Sequence, residues 1–368
     1  AQSAQHSRNV SLIAHVPLGA GEAGGVVLDQ SRPLAFAASG ASVVVVHTTS
    51  GKRIGSWETP EQARITAITL LDRALVVGTA RGLWMVDVSD PERPSQAFKV
   101  SSSEVRAAFA YQHSNGTALV MIATGQGVTA VTATGQEAGT ISLPEEVTNR
   151  EDGVYDVYAA YELASESDRL YVAGAGGYFV YDISDLTSPE LLTWVSSAAI
   201  QIGTTIQATP DGTQLVTGTD YRTSPIRIFD LRPALDGTVS QVRTAVGAWT
   251  ANWRSHSQTV EVRWPYVFVA AREQGLQMFN MRNAFEPYTT AHFKTWNGGD
   301  NGSDAIGAVD VDVRNEDGLI AVTDVKNGLW LLTIDDFTGW DGRGWGLPNV
   351  SSVQDWVNGP VNSDRWIP

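Results

Sequence analysis

The 368-residue chain contains no cysteine, so disulfides, thiol nucleophiles and thiolate metal sites are excluded together. It also lacks any run of basic residues. Only 25 Lys and Arg stand against 40 Asp and Glu, a formal charge of -15, which speaks against a sequence-independent grip on nucleic acid or on an anionic membrane. No apolar stretch reaches the roughly 18 residues of a membrane-spanning helix. The G-x-S-x-G elbow of serine hydrolases is missing. Glycine-rich stretches at Gly19 to Gly25 and Gly174 to Gly177 are not followed by a helical pattern that would aim N–H groups at a phosphate. No segment of the repeats reads as a convincing helix.

What is present is apolar and repetitive. A hydrophobic content of 43% with 18% charged residues suffices for a sizeable core. The stretch GLWMVDVSDPERPSQAFKV from Gly82 returns as GYFVYDISDLTSPELLTWV from Gly177 and GLQMFNMRNAFEPYTTAHF from Gly275. Each is a Gly, an apolar run, an Asp or Asn, a polar turn, a Pro and a second apolar run. Seven copies of the core strand begin at Ser42, Gly82, Gly127, Gly177, Pro225, Gly275 and Gly328, about 40 to 53 residues apart, the period of a propeller blade. Two strands precede each copy and one outer strand follows, with turn chemistry such as Asp90-Pro91 and Pro210-Asp211-Gly212 between them.

The pattern predicts an all-β propeller over residues 9–337, of seven four-stranded blades. Six blades are the alternative if the weakest unit, Val105 to Leu143, is irregular. The last unit has no obvious fourth strand after Gly328, whereas NVSLIAHVPL from Asn9 has the pattern of one. The N-terminal strand would then close the ring and remove two open sheet edges. Residues 338–368, with four Trp, fall outside the repeat and are expected to form an irregular tail packing on the propeller through aromatic burial.

The sequence from Val86 to Pro94 and from Tyr181 to Pro189, apolar-Asp-(Val/Ile)-Ser-Asp-x-x-x-Pro, resembles the LVIVD-repeat β-propellers. More narrowly, the overall character of the chain resembles the fungal hetero-Diels-Alderases of tropolonic sesquiterpene biosynthesis. That resemblance implies a pericyclase with no cofactor and no metal, acting on apolar small molecules. A hydroxymethyl tropolone would lose water to give a quinone methide, and an alkene of a humulene-type terpene would capture it in a [4+2] cycloaddition.

In a propeller, function concentrates around the central channel, on the inner strands and the loops that lead into them. The densest constellation is WTANWRSHSQTVEVRW from Trp249 to Trp264. Here His256 is the candidate proton donor and Arg254 the candidate clamp for an oxyanion, with Trp249, Trp253, Gln258 and Trp264 as substrate contacts. The alternative is that the tryptophans fill space between blades and His256 satisfies a turn. In VYDVYAAY, alternation places Tyr155, Val157, Ala159 and Tyr161 on one strand face and Asp156 and Tyr158 on the other, one facing the channel and one a neighbouring blade. Tyr155 is a candidate anchor, Tyr158 and Arg106 further contacts, and core packing is the competing reading for the tyrosines. His113 reads as part of an exposed hairpin. Asp304, Asp310 and Asp312 have ligand chemistry suited to calcium, but not the spacing of an EF-hand loop, and no metal is expected.

A second class of function fits the same repeats: a non-catalytic secreted propeller that binds a protein or carbohydrate partner on its rim. The start AQSAQHSRN resembles a chain after signal-peptide removal. Sequons at Asn9, Asn115, Asn301 and Asn349 fit a secretory route with N-glycosylation.

Overall fold

The computed structural model describes residues 6–340 apart from 20, 61, 102, 149–152, 163, 198–199, 220, 222, 253–255, 258 and 297–306, together with 354–355 and 359–360. Seven four-stranded antiparallel sheets follow one another around a ring. The inner strands of blades I to VII are Ala23–Leu28, Ile65–Leu71, Ala107–Gln112, Val154–Glu162, Gly203–Ala208, Thr259–Arg263 and Ala308–Val313. Blade VII borrows its outer strand from the N-terminus, where Val10–Val16 pairs antiparallel with Gly328–Ile334. Blade III is as regular as the others, with strands Ala107–Gln112, Ala118–Ala123, Gly127–Thr132 and Glu137–Ser142 in order. The seven-blade expectation and the N-terminal closure both hold. The two four-residue helices, Glu145–Thr148 and Arg232–Leu235, lie in connections, and among the described residues no helix is long and apolar enough to cross a membrane.

The repeated sentence is the third strand of each blade and the turn beyond it. Its opening glycine is required by a close approach. A Cβ at Gly82 would lie 2.0 Å from the Ser101 carbonyl oxygen and one at Gly177 2.2 Å from that of Val195, both on the outer strand, and both glycines have positive φ. The Asp or Asn ends the strand by accepting a backbone N–H two residues on: Ser89 donates to Asp87, Ser184 to Asp182 and Arg282 to Asn280, each at 2.8 Å.

Strand alternation distributes the apolar residues between the two seams that every blade makes. In blade IV, Leu170 and Val172 join Val157 and Ala159 in a cluster with blade III, while Tyr171 and Ala173 join Tyr158 and Ala160 in a cluster with blade V. Both faces of an inner strand therefore meet neighbouring blades. Only its free edge and the residues near its ends reach the channel.

Candidate functional site

The inner strands enclose a central channel of about 940 Å3. Its wall is divided. Blades I to III contribute Val27, Ile68, Ala108 and Phe109, with Gln30, Thr66 and Thr69 as uncharged polar members. Blades IV to VII contribute Asp156, Thr204, Gln207, Glu261, Asp310 and Asp312. At the end where the chain enters each inner strand stand Arg64, Glu104, Arg106 and Tyr155. The Arg106 guanidinium lies 5.1 Å from the centre of the Tyr155 ring, and its Nε is 3.5 Å from Glu104.

A local irregularity aims the carboxylates. In blade IV the strand register skips between Val154 and Asp156, and in blade VII between Ala308 and Asp310. Such bulges re-aim the side chains that follow. Asp156 and Asp310 thereby occupy equivalent positions, each reaching the inner strand of the next blade. Ile206 N–H donates to Asp156 Oδ2 at 3.0 Å, and Val26 N–H donates to Asp310 Oδ2 at 2.8 Å. The second oxygen of Asp156 accepts from Val157 N–H at 2.9 Å, and that of Asp310 from the Thr259 hydroxyl at 3.1 Å. Deeper in the channel, Leu28 N–H donates to Asp312 at 2.6 Å and Val262 N–H to Gln207 Oε1 at 2.7 Å.

Burial dominates the proton affinity of these acids and outweighs the hydrogen bonds that favour ionisation. Asp156 is pushed up to about 7, with Asp310 adding to the effect, and Asp310 is pushed up to about 7, with Glu261 adding to it. Asp312 is raised by burial and then by Glu261. Glu261 is paired instead, with Arg263 Nη1 at 2.9 Å. Arg263 itself is buried at the far end of the channel. It donates to Asn315 Oδ1 at 2.6 Å and lies 5.6 Å from the ring of Trp340, which donates its Nε1–H to the Trp264 carbonyl. The chain thus reaches Trp340 directly outside the channel floor.

Of the residues singled out in the sequence, the structure brings Tyr155 and Arg106 together at the channel mouth. Tyr158 borders the channel but is only 2% exposed, its ring packed on Phe109 and Tyr171 at centroid distances of 5.1 and 5.7 Å. The expected division of blade IV into a channel face and a blade face is corrected: one face meets blade III and the other blade V, and the bulge turns Tyr155 and Asp156 both to the channel.

The Trp249 to Trp264 constellation does not gather at one point. Trp249 is on the outer strand of blade V, stacked on Phe279 at 4.7 Å and donating to Thr289 Oγ1. Trp264 lies past the end of the inner strand of blade VI, buried beneath Arg282. The physical reason is extension: an inner strand of five residues at ~3.3 Å each carries the chain from one end of the channel to the other. His256 is half-buried in the loop entering blade VI, its backbone N–H 3.4 Å from Glu273 Oε2, and it is not among the residues that line the channel. Arg254, Trp253 and Gln258 lie outside the described residues, as does Asp304.

His113 departs from the exposed hairpin expected of it. It is 3% exposed, with Nδ1 accepting from Asn115 N–H and Nε2 facing the Ile183 carbonyl at 2.9 Å, so it ties blade III to blade IV. Phe109, Ile68, Thr259 and Gln207 complete the channel and were not singled out in the sequence. Aligning the inner strands of the seven units, rather than the third strands, is the signal that would have found them.

The LVIVD repeat family matches residues 166–196, which span the second to fourth strands of blade IV. No curated protein matches the chain. One blade of the seven-bladed ring thus carries a recognised LVIVD repeat.

Proposed function

We propose that the protein is a cofactor-free hetero-Diels-Alderase whose channel binds a hydroxymethyl tropolone beside a humulene-type sesquiterpene. It promotes dehydration of the tropolone to a quinone methide and holds that species against the alkene for a [4+2] addition. The observation that carries this reading is the divided channel. Its volume of about 940 Å3 lies at the upper end of the range for small-molecule sites, and its lining combines apolar side chains such as Phe109, Ile68 and Val27 with the carboxyl groups of Asp156, Asp310 and Asp312. Holding two reactants in register removes roughly 7 to 11 kcal/mol of barrier without any covalent step by the protein. In this account Arg106 and Tyr155 hold the developing tropolonate oxygen, and Phe109, Ile68 and Val27 shape the terpene.

Incubation of the purified protein with a hydroxymethyl tropolone and a humulene-type alcohol tests the proposal, with adducts followed by chromatography and mass spectrometry. An accelerated, single-stereoisomer adduct is expected. The uncatalysed mixture alone, with folded protein, would move the assignment to the rim. One observation favours that second reading: Leu12, Ile13, Phe285 and Tyr288 are exposed on the outer edge of blades VI and VII, Phe285 at 73%. Such side chains suit a protein partner.

The proposal includes a secretory route. Asn115 is exposed at a hairpin tip, open to a glycan, whereas Asn9 donates its amide to the Thr290 carbonyl at 3.1 Å. Asn301 and Asn349 lie outside the described residues. A mass shift on deglycosylation, mapping to Asn115, is the expected result.

A further inference from the structure

We infer that Asp156 and Asp310 are the proton donors of the channel, an acid pair supplied by two blades three steps apart in the ring, in the role first considered for His256. The inference rests on the pericyclase reading and assigns its acid.

Three observations converge. Both carboxyls line the cavity, whereas His256 does not. Both follow a bulge at the same position of the repeat, and the corresponding residues after the bulge in blades II and V are Ala67 and Thr205. A carboxyl is therefore not required at this position to build a blade. Both are oriented by the next blade's backbone, Asp156 by Ile206 N–H and Asp310 by Val26 N–H, which leaves little freedom to lose on binding substrate.

The surroundings favour the neutral acid. Asp156 faces Thr205 and Ile206 of blade V, with Asp310 close enough across the channel to raise its proton affinity, and Tyr155 and Arg106 stand on its blade III side. Asp310 faces Val26 of blade I and Thr259 and Glu261 of blade VI, with Asp312 two residues along its strand. Four arginines line the channel: Arg263 holds Glu261 and Asn315, Arg106 holds Glu104 and stacks on Tyr155, Arg64 pairs with Glu22 at 3.4 Å, and Arg272 stands beside the start of the strand that carries Asp310, its carbonyl accepting the Ala308 N–H. Burial pushes both acids up to about 7, so protons are available near neutral pH.

The step balances. A carboxyl O–H gives its proton to the hydroxymethyl oxygen, the C–O bond breaks with its electron pair leaving on water, and the tropolone ring O–H releases its proton to the resulting carboxylate. The ring oxygen becomes a carbonyl, an exocyclic C=C forms, and the acid is restored.

The test measures quinone-methide formation by trapping with a thiol from pH 5.5 to 8.5, alongside calorimetric binding of the tropolone. For wild type the trapping rate should exceed that of buffer and fall above about pH 7. Asp156→Asn and Asp310→Asn should each lower it by about 100-fold or more while tropolone binding stays within about threefold. Asp185→Asn changes an exposed carboxyl that accepts the Thr187 N–H in a turn outside the channel, and should keep the rate. If either Asn variant fails to fold, 13C titration of the assigned wild-type aspartate carboxyls decides: Asp156 and Asp310 both titrating well above the usual aspartate range support the pair, and either of them titrating in the ordinary range overturns it. Wild type that neither binds nor traps sinks the pericyclase reading itself. Wild type that traps, with Asn variants equally active and unchanged in pH profile, sinks only the acid pair.

Discussion

The channel's two halves are made by the same strand in the same place and differ in what crosses the seams between blades. In blades IV to VII, Asp156, Gln207, Asp310 and Asp312 accept backbone N–H groups of the following blade. The seam between blades I and II is apolar, with Phe36, Val43, Val45 and Trp57 packed on Ile65, Leu75, Val77 and Trp84. A blade forms without a carboxyl at this place, since Ala67 and Thr205 hold it in blades II and V. Asp156, Asp310 and Asp312 are thus concentrated on one side of the ring, and it is there that the proposed substrate would meet them.

The sharpest break of the comparison is Phe36→Ala in the apolar seam. It should cost about 3 to 5 kcal/mol in urea unfolding, by the same amount at pH 5 and pH 8, because no titrating group is touched. The acidic half should respond to pH instead. Asp156 and Asp310 hold their protons up to about 7 in the folded state but only to about 4 in the unfolded chain. Glu162, buried beside Tyr171 and pushed up to about 8, behaves likewise. The stability these groups contribute is complete below pH 4 and is lost as pH rises through 7 to 8, so the melting temperature should fall between pH 5 and pH 8. Asp310→Asn should flatten that fall, and Phe36→Ala should leave its slope intact.

Smaller effects sharpen the contrast. Gln207→Leu strands the Val262 N–H without its 2.7 Å partner and should cost about 1 to 3 kcal/mol, independent of pH, read by chemical denaturation. Thr69→Val, in the apolar half, removes only a long 3.4 Å contact from Ala110 N–H and should shift stability by less than about 0.5 kcal/mol in the same assay.

Much of the fold was legible because each blade repeats the same local solution. The glycine against the outer strand's carbonyl and the Asp or Asn that ends the third strand are contacts made within one blade, so they recur as letters at fixed spacing. Closure by Asn9 onward was legible because the last unit lacked a strand that the first residues supplied. Tyr155 and Arg106 were found because they begin inner strands. Trp249 and Trp264 misled because closeness in an extended chain is not closeness in a sheet: 15 residues carried one to the outer rim and the other past the channel floor. His113 misled because its partner, the Ile183 carbonyl, belongs to another blade.

By itself the sequence determined the strand order and the closure of the ring and favoured seven blades over six, since each follows from period-two alternation and turn chemistry repeated at one spacing; the regular third blade decided the count. Which side chains meet across the channel was decided only by the tertiary structure. A bulge of one residue sets whether Asp156 and Asp310 turn into the ring, and the proton affinity of those acids depends on burial by neighbouring blades, 50 residues along the chain for Asp156 and 284 for Asp310.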